Sequence, residues 1–402
     1  MTSVGLELGL SELWQLDPDI VFLNHGSFGA SPRAVLDHQT ELRAIMESDP
    51  VNFIDGQGRE LWAEAITRLS GFLNADPNGM AFVANATTGV NTVLSSLDIG
   101  IGDEVVVTDT TYQACRNAVD HHSSIKGFAV KIANIPIPLT SKDEAIDAVL
   151  SQVGTNTKLA LIDTVSSPTG IRMPFEELVE ILNGRGVDTL LDAAHGPGLI
   201  PLDISRLNAA FVTGNCHKWL CTPKGSAFLH ARSDKLHIRP LVISHGATLP
   251  ERLGPRFRLE FDWTGTVDPT AWMCIPFAID HLGSLFEGGW DEIISRNHHM
   301  ALAARSLIMD RVGLQPVCSE EFITSMAAFI IPGSPHHPDP DPLHELLYRA
   351  HGIQVPVQGW SNHAARYLRI SSHLYNDLDQ YRRLSEALIH ELGSRATFEV
   401  NK

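Results

Sequence analysis

Between residues 80 and 231 the chain keeps returning to one pattern: a short, almost unbroken apolar run, a polar turn, then a longer run with helical spacing. "MAFVAN" (80–85) leads into "TTGVNTVLSSL", which reads as a helix opened by hydroxyl residues. "DEVVVTD" (103–109) leads into "TYQACRNAVDHH", and "KLALIDTVSS" (158–167) into "PFEELVEILNGRG", a helical repeat closed by glycine. "VDTLLDAAHG" (187–196), "AAFVTGN" (209–215) and "GSAFLHA" (225–231) extend the strand series. A strand that is apolar at consecutive positions must be covered on both faces, and strands linked through helices pair in parallel. The pattern predicts an α/β fold with a mainly parallel sheet between helical layers.

From about residue 270 the texture changes. Helical runs ("MCIPFAIDHLGSLFEGG", "MALAARSLIMDRVG") frame fewer strands ("AAFIIP", "RYLRIS"), and a proline-rich loop, "PGSPHHPDPDP" (332–342), interrupts them. This predicts a second, smaller α+β domain starting near residue 276. At 402 residues the chain is long enough for two domains. It shows no internal repeat.

Charge narrows the partners. With 47 acidic against 30 basic residues the net charge is −17, which disfavours nucleic acid and anionic membrane, since both need clustered positive charge. Five cysteines at 115, 216, 221, 274 and 318 form no CxxC pair and no zinc spacing. The opening "MTSVGLELGLSELW" lacks a basic run and carries Glu7 and Glu12, unlike a signal peptide, and no uncharged apolar run approaches the roughly 18 residues of a membrane span. A cytoplasmic protein is expected.

In open α/β sheets ligands bind beyond the carboxyl ends of the strands, so the polar residues that follow each apolar run are the candidates. They are Thr87 and Thr88, then Tyr112, then Ser166 and Ser167, then Asp192 and His195, then Asn215, His217 and Lys218. A lysine buried as a free ammonium is costly unless it is paired or covalently used. Pyridoxal phosphate needs such a lysine for its Schiff base and a carboxylate to keep its ring nitrogen protonated. It also needs an aromatic face and a helix N-terminus for its phosphate. Lys218, Asp192, Tyr112, and Thr87 with Thr88 meet those needs in turn.

The blocks "FLNHGSFGASPRAV" (22–35), "ANATTGVN" (84–91), "LLDAAHGPG" (190–198), "TGNCHKWLCTPKGSAFL" (213–229), "WTGTVDPTAW" (263–272) and "YLRISSHLYN" (367–376) resemble the class V aminotransferase family of fold-type-I pyridoxal-phosphate enzymes. Within it they are most similar to the isopenicillin N epimerase-like branch, which also holds carbon–sulfur lyases acting on cysteine conjugates. The resemblance runs from about residue 20 to 385. It implies a large domain with a mainly parallel, seven-stranded type of sheet over 25–275, a small α+β domain over 276–402, and an N-terminal segment, 1–24, that packs with the small domain.

Carried over residue by residue, the resemblance implies pyridoxal 5′-phosphate on Lys218, with Asp192 at the pyridine nitrogen and His195 at the phenolic oxygen. Thr88, His217, and Asn215 in place of the usual serine, would hold phosphate, with Thr87 beside them by its place at the helix N-terminus; Ser167 completes the cofactor set. Tyr112 would stack on the ring where the family usually has histidine. Arg369 would clamp the substrate carboxylate, with Asn24 and His25 beside the substrate. Thr266, in "TGT", would be lent across a homodimer interface to the neighbour's phosphate. The nucleophilic cysteine of cysteine desulfurases has no counterpart in "VPVQGWSNHAARYLR", which reads against persulfide formation.

Each residue also has a plainer use. Asp192 after a strand could cap a helix, Tyr112 could be an ordinary half-buried tyrosine, and Lys224 is a rival lysine. His25, in a glycine-rich turn, is read equally well as structural or as a substrate-pocket residue. The pairs His121–His122, His298–His299 and His336–His337 read as solvated surface, because adjacent histidines do not share a helix face. At the level of reaction, the expectation is Cα-proton abstraction from an amino acid followed by β-elimination from an S-substituted cysteine. Epimerisation, with His25 or Tyr112 as second acid, and transamination or oxidative deamination on the same scaffold remain open. So does a catalytically idle scaffold; a hydrolase or nucleotide-binding reading finds no GxSxG or Walker A pattern.

Overall fold

The computed structural model describes residues 9–333, 340–360 and 365–393. His336 and His337, and most of the proline-rich loop, lie outside the described residues, as do the first eight residues.

Seven strands build the large sheet: β1 (Met80–Val83), β2 (Glu104–Thr108), β3 (Ala129–Ala133), β4 (Thr157–Asp163), β5 (Asp188–Ala193), β6 (Phe211–Asn215) and β7 (Ala227–Ala231). Their order is β1-β7-β6-β5-β4-β2-β3. Strand β7 runs against both its neighbours, and every other pairing is parallel. The sheet is therefore mainly parallel, as the apolar runs predict.

The reason lies in how each strand divides its side chains. In β4, Leu159 and Leu161 enter one buried cluster while Ala160 and Ile162 enter another on the opposite face. The first cluster is completed by the helices Ala86–Ser96 and Gln113–Lys126, through Val90, Val93, Leu94, Cys115 and Val119. The second is completed by the helices Gly58–Phe72 and Phe175–Gly184, through Ile66, Leu69, Leu178 and Leu182. With both faces dry, no position in β4 from Leu159 to Ile162 can be polar. The first helix is capped by Asn85, whose side chain accepts from the Thr88 N–H; the hydroxyl residues sit in its first turn instead.

A second sheet of four antiparallel strands is ordered β10-β11-β9-β8, with β8 Gln315–Pro316, β9 Met326–Ile331, β10 Val357–Trp360 and β11 Ala365–Ser371. The helices Gly289–Val312 and Leu378–Leu392 pack on it and on each other. Val21–Phe22 pairs in parallel with Ile353–Gln354, and Trp14 packs edge-on against His373 and Tyr375. Among the described residues no helix is long and apolar enough to cross a membrane.

Candidate active site

The carboxyl ends of β1, β2, β4, β5 and β6 open into one cavity of about 650 Å³, within the usual range for a small-ligand site. Its lining includes Thr87, Thr88, Tyr112, Ser167, Asp192, His195, Asn215, His217 and Lys218, so the strand-end residues do converge. Asp163, Ser27 and Phe28 line it too, and the sequence reading did not single them out.

Lys218 sits in the turn between β6 and β7, where Cys216 and His217 both donate their backbone N–H to the Ser226 carbonyl. Two glycines let other chain segments press against this turn. A Cβ on Gly29 (φ +69°) would stand 2.3 Å from the His217 carbonyl oxygen, and one on Gly198 (φ +82°) 2.5 Å from that of Trp219. Both positions need the left-handed backbone and the missing side chain. The Lys218 amine is reached from the cavity but is ringed by protein; desolvation, helped by the nearby Arg369, pushes its pKa down to about 8.

Two carboxylates share the floor of the site. Asp163 and Asp192 are register partners on β4 and β5, and both are buried. Asp192 accepts from the Ala194 N–H at 2.9 Å and from the Cys115 thiol at 3.2 Å. Burial raises both pKa values, that of Asp163 further because Asp192 lies beside it. The Asp163 Oδ2 atom is buried with no hydrogen-bond partner. Among the described residues no arginine or lysine forms an ion pair with either carboxylate.

Arg369, on β11, is the complementary feature. It is buried, and its Nη atoms donate to the Ser167 carbonyl, to Asn24 Oδ1 at 3.3 Å and to Ser27 Oγ at 3.2 Å. Its Nε has no partner, no carboxylate of the described residues pairs with it, and burial lowers its pKa to about 10. Asn24 is thus at the arginine; neither of them is in the cavity lining, but Ser27 and Ser167, to which the arginine donates, are.

Of the two readings of His25, the geometry favours the structural one. The residue is fully buried, accepting at Nδ1 from the Tyr375 hydroxyl (2.8 Å) and donating from Nε2 to the Lys218 carbonyl (3.0 Å). The carbonyl can only accept, so Nε2 carries the proton and both ring nitrogens are committed beneath the lysine. It offers no atom to the cavity, and Tyr375 lies 350 residues away in sequence. Cys221 and His373 join His25 in a buried trio with ligand atoms close together. The two rings, however, stack at 4.1 Å and 19°, so their in-plane lone pairs run side by side rather than converging on one ion.

Asn215 Oδ1 accepts from the Ala86 N–H at 2.9 Å, tying β6 to the helix N-terminus. The His217 Nδ1–H donates to the Ser226 carbonyl at 2.7 Å, leaving the Nε2 lone pair outward, and burial lowers its pKa to about 4. Tyr112 is an exposed wall of the cavity with a raised pKa. Thr266 is exposed and outside the lining. Among the described residues, a buried carboxylate without a cationic partner, a buried guanidinium without an anionic one and an amine whose pKa is pushed down to about 8 together suit a ligand that carries both charges.

The family model described as Aminotransferase class-V matches residues 34–384. Isopenicillin N epimerase of Amycolatopsis lactamdurans is 33% identical over 388 residues, covering 93% of this chain and 95% of its own length. The probable chloroplastic L-cysteine desulfhydrase of Arabidopsis thaliana is 29% identical over 402 residues, covering 94% and 84%. A solved structure of a C-DES mutant, with glycine covalently linked to its PLP cofactor, superposes with a TM-score of 0.80 at 20% identity, covering 92% of this chain and 96% of that one.

Proposed function

The chain belongs to the class V aminotransferase family, and from that premise we propose that it binds pyridoxal 5′-phosphate at Lys218 and acts as a carbon–sulfur β-lyase on an S-substituted cysteine. The residues present fit the cofactor: Asp192 is a buried carboxylate lacking a cationic partner, as a protonated ring nitrogen requires. Thr87 and Thr88 in the first turn of a capped helix, with Asn215 beside it, make a natural phosphate site, and His217 would join them as an imidazolium, donating from Nε2. Tyr112, Ser167 and His195 complete the cofactor's walls. Pyridoxal phosphate, when bound, supplies an electron sink that acidifies the Cα–H of an amino acid.

The chain's own residues divide the remaining work. Arg369 binds the substrate carboxylate, whose negative charge compensates a guanidinium that has only neutral partners. Asn24, Ser27 and Ser167 hold the arginine in place. Lys218 takes the Cα proton onto Nζ; a pKa near 8 keeps a usable fraction of the amine neutral at pH 7. The electron pair left at Cα then expels sulfur from Cβ, the thiolate takes up a proton, and the released enamine hydrolyses to pyruvate and ammonia.

One observation carries the choice of elimination. His25, one of two candidates for a second acid, is locked beneath the lysine, and elimination needs only one base. The desulfhydrase relatives support the same reading. Epimerisation is the second reading, favoured by the 33% identity to isopenicillin N epimerase; it would leave Tyr112 as the opposite-face acid. Incubation of the purified protein with S-substituted cysteines should release pyruvate, and Lys218→Ala should abolish the release. Absence of pyruvate together with α-proton exchange in D₂O would replace the lyase reading by the epimerase one.

The protein is further proposed to be a homodimer. Thr266 is exposed and remote from its own cavity lining, as a residue lent to a neighbour would be. Exposed apolar side chains at Leu241, Val242, Ile243 and Val267 support the same reading, and Leu241 also lines the cavity.

A further inference from the structure

His195 lies between two nitrogen groups. Its Nδ1 accepts a hydrogen bond from the Trp219 indole N–H at 3.2 Å, and its Nε2 stands 3.3 Å from Lys218 Nζ. Indole nitrogen is a donor only, so a bond to Nδ1 requires a lone pair there. A neutral imidazole with a lone pair on Nδ1 has its proton on Nε2. The ring therefore turns an N–H toward the lysine, and a hydrogen bond to that N–H can be completed only by an amine that has a lone pair. A protonated Lys218 would set N–H against N–H.

We propose that Trp219 is a positioning residue that locks His195 in its Nε2–H tautomer, so that the histidine stabilises Lys218 as a neutral amine, the form that attacks a carbonyl carbon. Trp219 can do this because it is held rigidly: it is buried beside the lysine turn, its own carbonyl is pressed by Gly198, and its ring packs against His25. The other groups facing this contact are fixed in kind. Arg369, Asp192, Asp163 and Cys115 face the Lys218 amine, the first disfavouring its charge and the other three favouring it. Lys218, Arg369 and His25 face the His195 ring and all disfavour an imidazolium, as burial does. Neutral His195 is thus the state to which the tautomer argument applies, and the indole supplies the one contact that distinguishes its two forms.

The inference rests on Lys218 being the cofactor-binding lysine, but its first test needs no cofactor. In the full-length apoprotein labelled with ¹⁵N-histidine, the His195 signal is identified by its loss in His195→Gln. Long-range ¹H–¹⁵N correlations should show it as the Nε2–H tautomer, and as a mixture or the other tautomer in Trp219→Phe. The second test is the pH dependence of pyridoxal 5′-phosphate capture by the apoprotein, followed by growth of visible absorption. Freed from the indole, His195 can turn a lone pair to a charged lysine, so the midpoint in Trp219→Phe should rise by about one unit, a tenfold fall in the neutral fraction at a given pH. In the His195→Gln background the same Trp219→Phe change should leave the midpoint where it is. An Nδ1–H tautomer in the unaltered protein overturns the proposal even if Trp219→Phe does not fold. So does an unshifted midpoint, or an equal shift in both backgrounds. Failure of capture in every variant, with the Nε2–H tautomer present, would instead count against Lys218 as the cofactor lysine.

Discussion

Asp163 and Asp192 are adjacent in the sheet, both buried, and unequal. Asp192 has a thiol and a backbone N–H that stabilise its ionised form; Asp163 is helped only by the backbone N–H groups of Tyr112 and of its own residue, its Oδ2 has no partner among the described residues, and it feels the charge of Asp192. Two carboxylates so placed hold one proton between them, and the better-solvated one ionises first. The proton therefore belongs on Asp163 and the charge on Asp192. Asparagine mimics a protonated aspartate, so Asp163→Asn should keep kcat/KM within about threefold of the parent protein. Asp192→Asn should cost about a hundredfold or more, the usual scale for deleting a fixed charge or donor at a reacting centre. Steady-state kinetics on the substrate that releases pyruvate tests this directly: equal losses in both variants would reverse or dissolve the assignment. This asymmetry was not visible in the sequence, where Asp163 is one letter at the end of an apolar run. Asp192 stood out as a carboxylate at a strand end within the block "LLDAAHGPG"; its partner is set by strand register, which a single sequence does not reveal.

At the scale of elements, Asp341 does two jobs. Its side chain caps the helix Pro342–His351 by accepting from the Leu343 N–H at 2.8 Å, and it receives two hydrogen bonds from Arg366 on β11. Both charged groups are nearly inaccessible. Removing one member of a buried pair strands the other, so Asp341→Ala should lower the unfolding free energy by about 3–5 kcal/mol. Asp341→Asn keeps the cap and should recover about 1 kcal/mol of that. Denaturant titration of the apoprotein measures both, and an alanine variant within about 1 kcal/mol of the parent would show the pair to be dispensable. The same scale explains which elements could be read in advance. The central strands were legible because both of their faces are dry. Strand β3 was not, because it is an edge strand whose Ala129 is exposed and whose Lys131 reaches Glu104 across the sheet. Strand β8, two residues long, has too little pattern to register. Functional residues divide in the same way. Most of those at strand ends announced themselves, Asp163 excepted, while His25, Trp219 and Ser27 act through partners from distant parts of the chain. A glycine-rich block around His25 reads alike whether the imidazole faces a substrate or, as here, holds up a lysine's carbonyl.

For the molecule as a whole, the segment between β7 and the helix Ile275–Gly283 is anomalous. Val242 is 58% exposed and Leu253 60%, with Leu241, Ile243, Leu249 and Val267 also open to water. Single exposed apolar residues are ordinary, but several in one stretch beside a ligand cavity are what the proposed homodimer interface would cover. The net charge of −17 makes a second copy an unfavourable partner through long-range repulsion. Association must then rest on apolar burial, which salt does not weaken. Thr266, next to Val267, would enter the neighbour's phosphate site in such a pair, so assembly and cofactor affinity should be linked. Val242→Glu combined with Leu253→Glu is expected to yield monomers in sedimentation velocity and to weaken pyridoxal phosphate binding. Thr266→Ala should leave the dimer intact while weakening cofactor binding about tenfold, the scale of one hydrogen bond to a charged group. The two variants separate the surface from the contact it carries. A parent protein that sediments as a monomer at micromolar concentration, or a doubly charged variant that remains dimeric, would refute the interface. A Thr266→Ala protein with unchanged cofactor affinity would leave the interface standing and remove the shared residue.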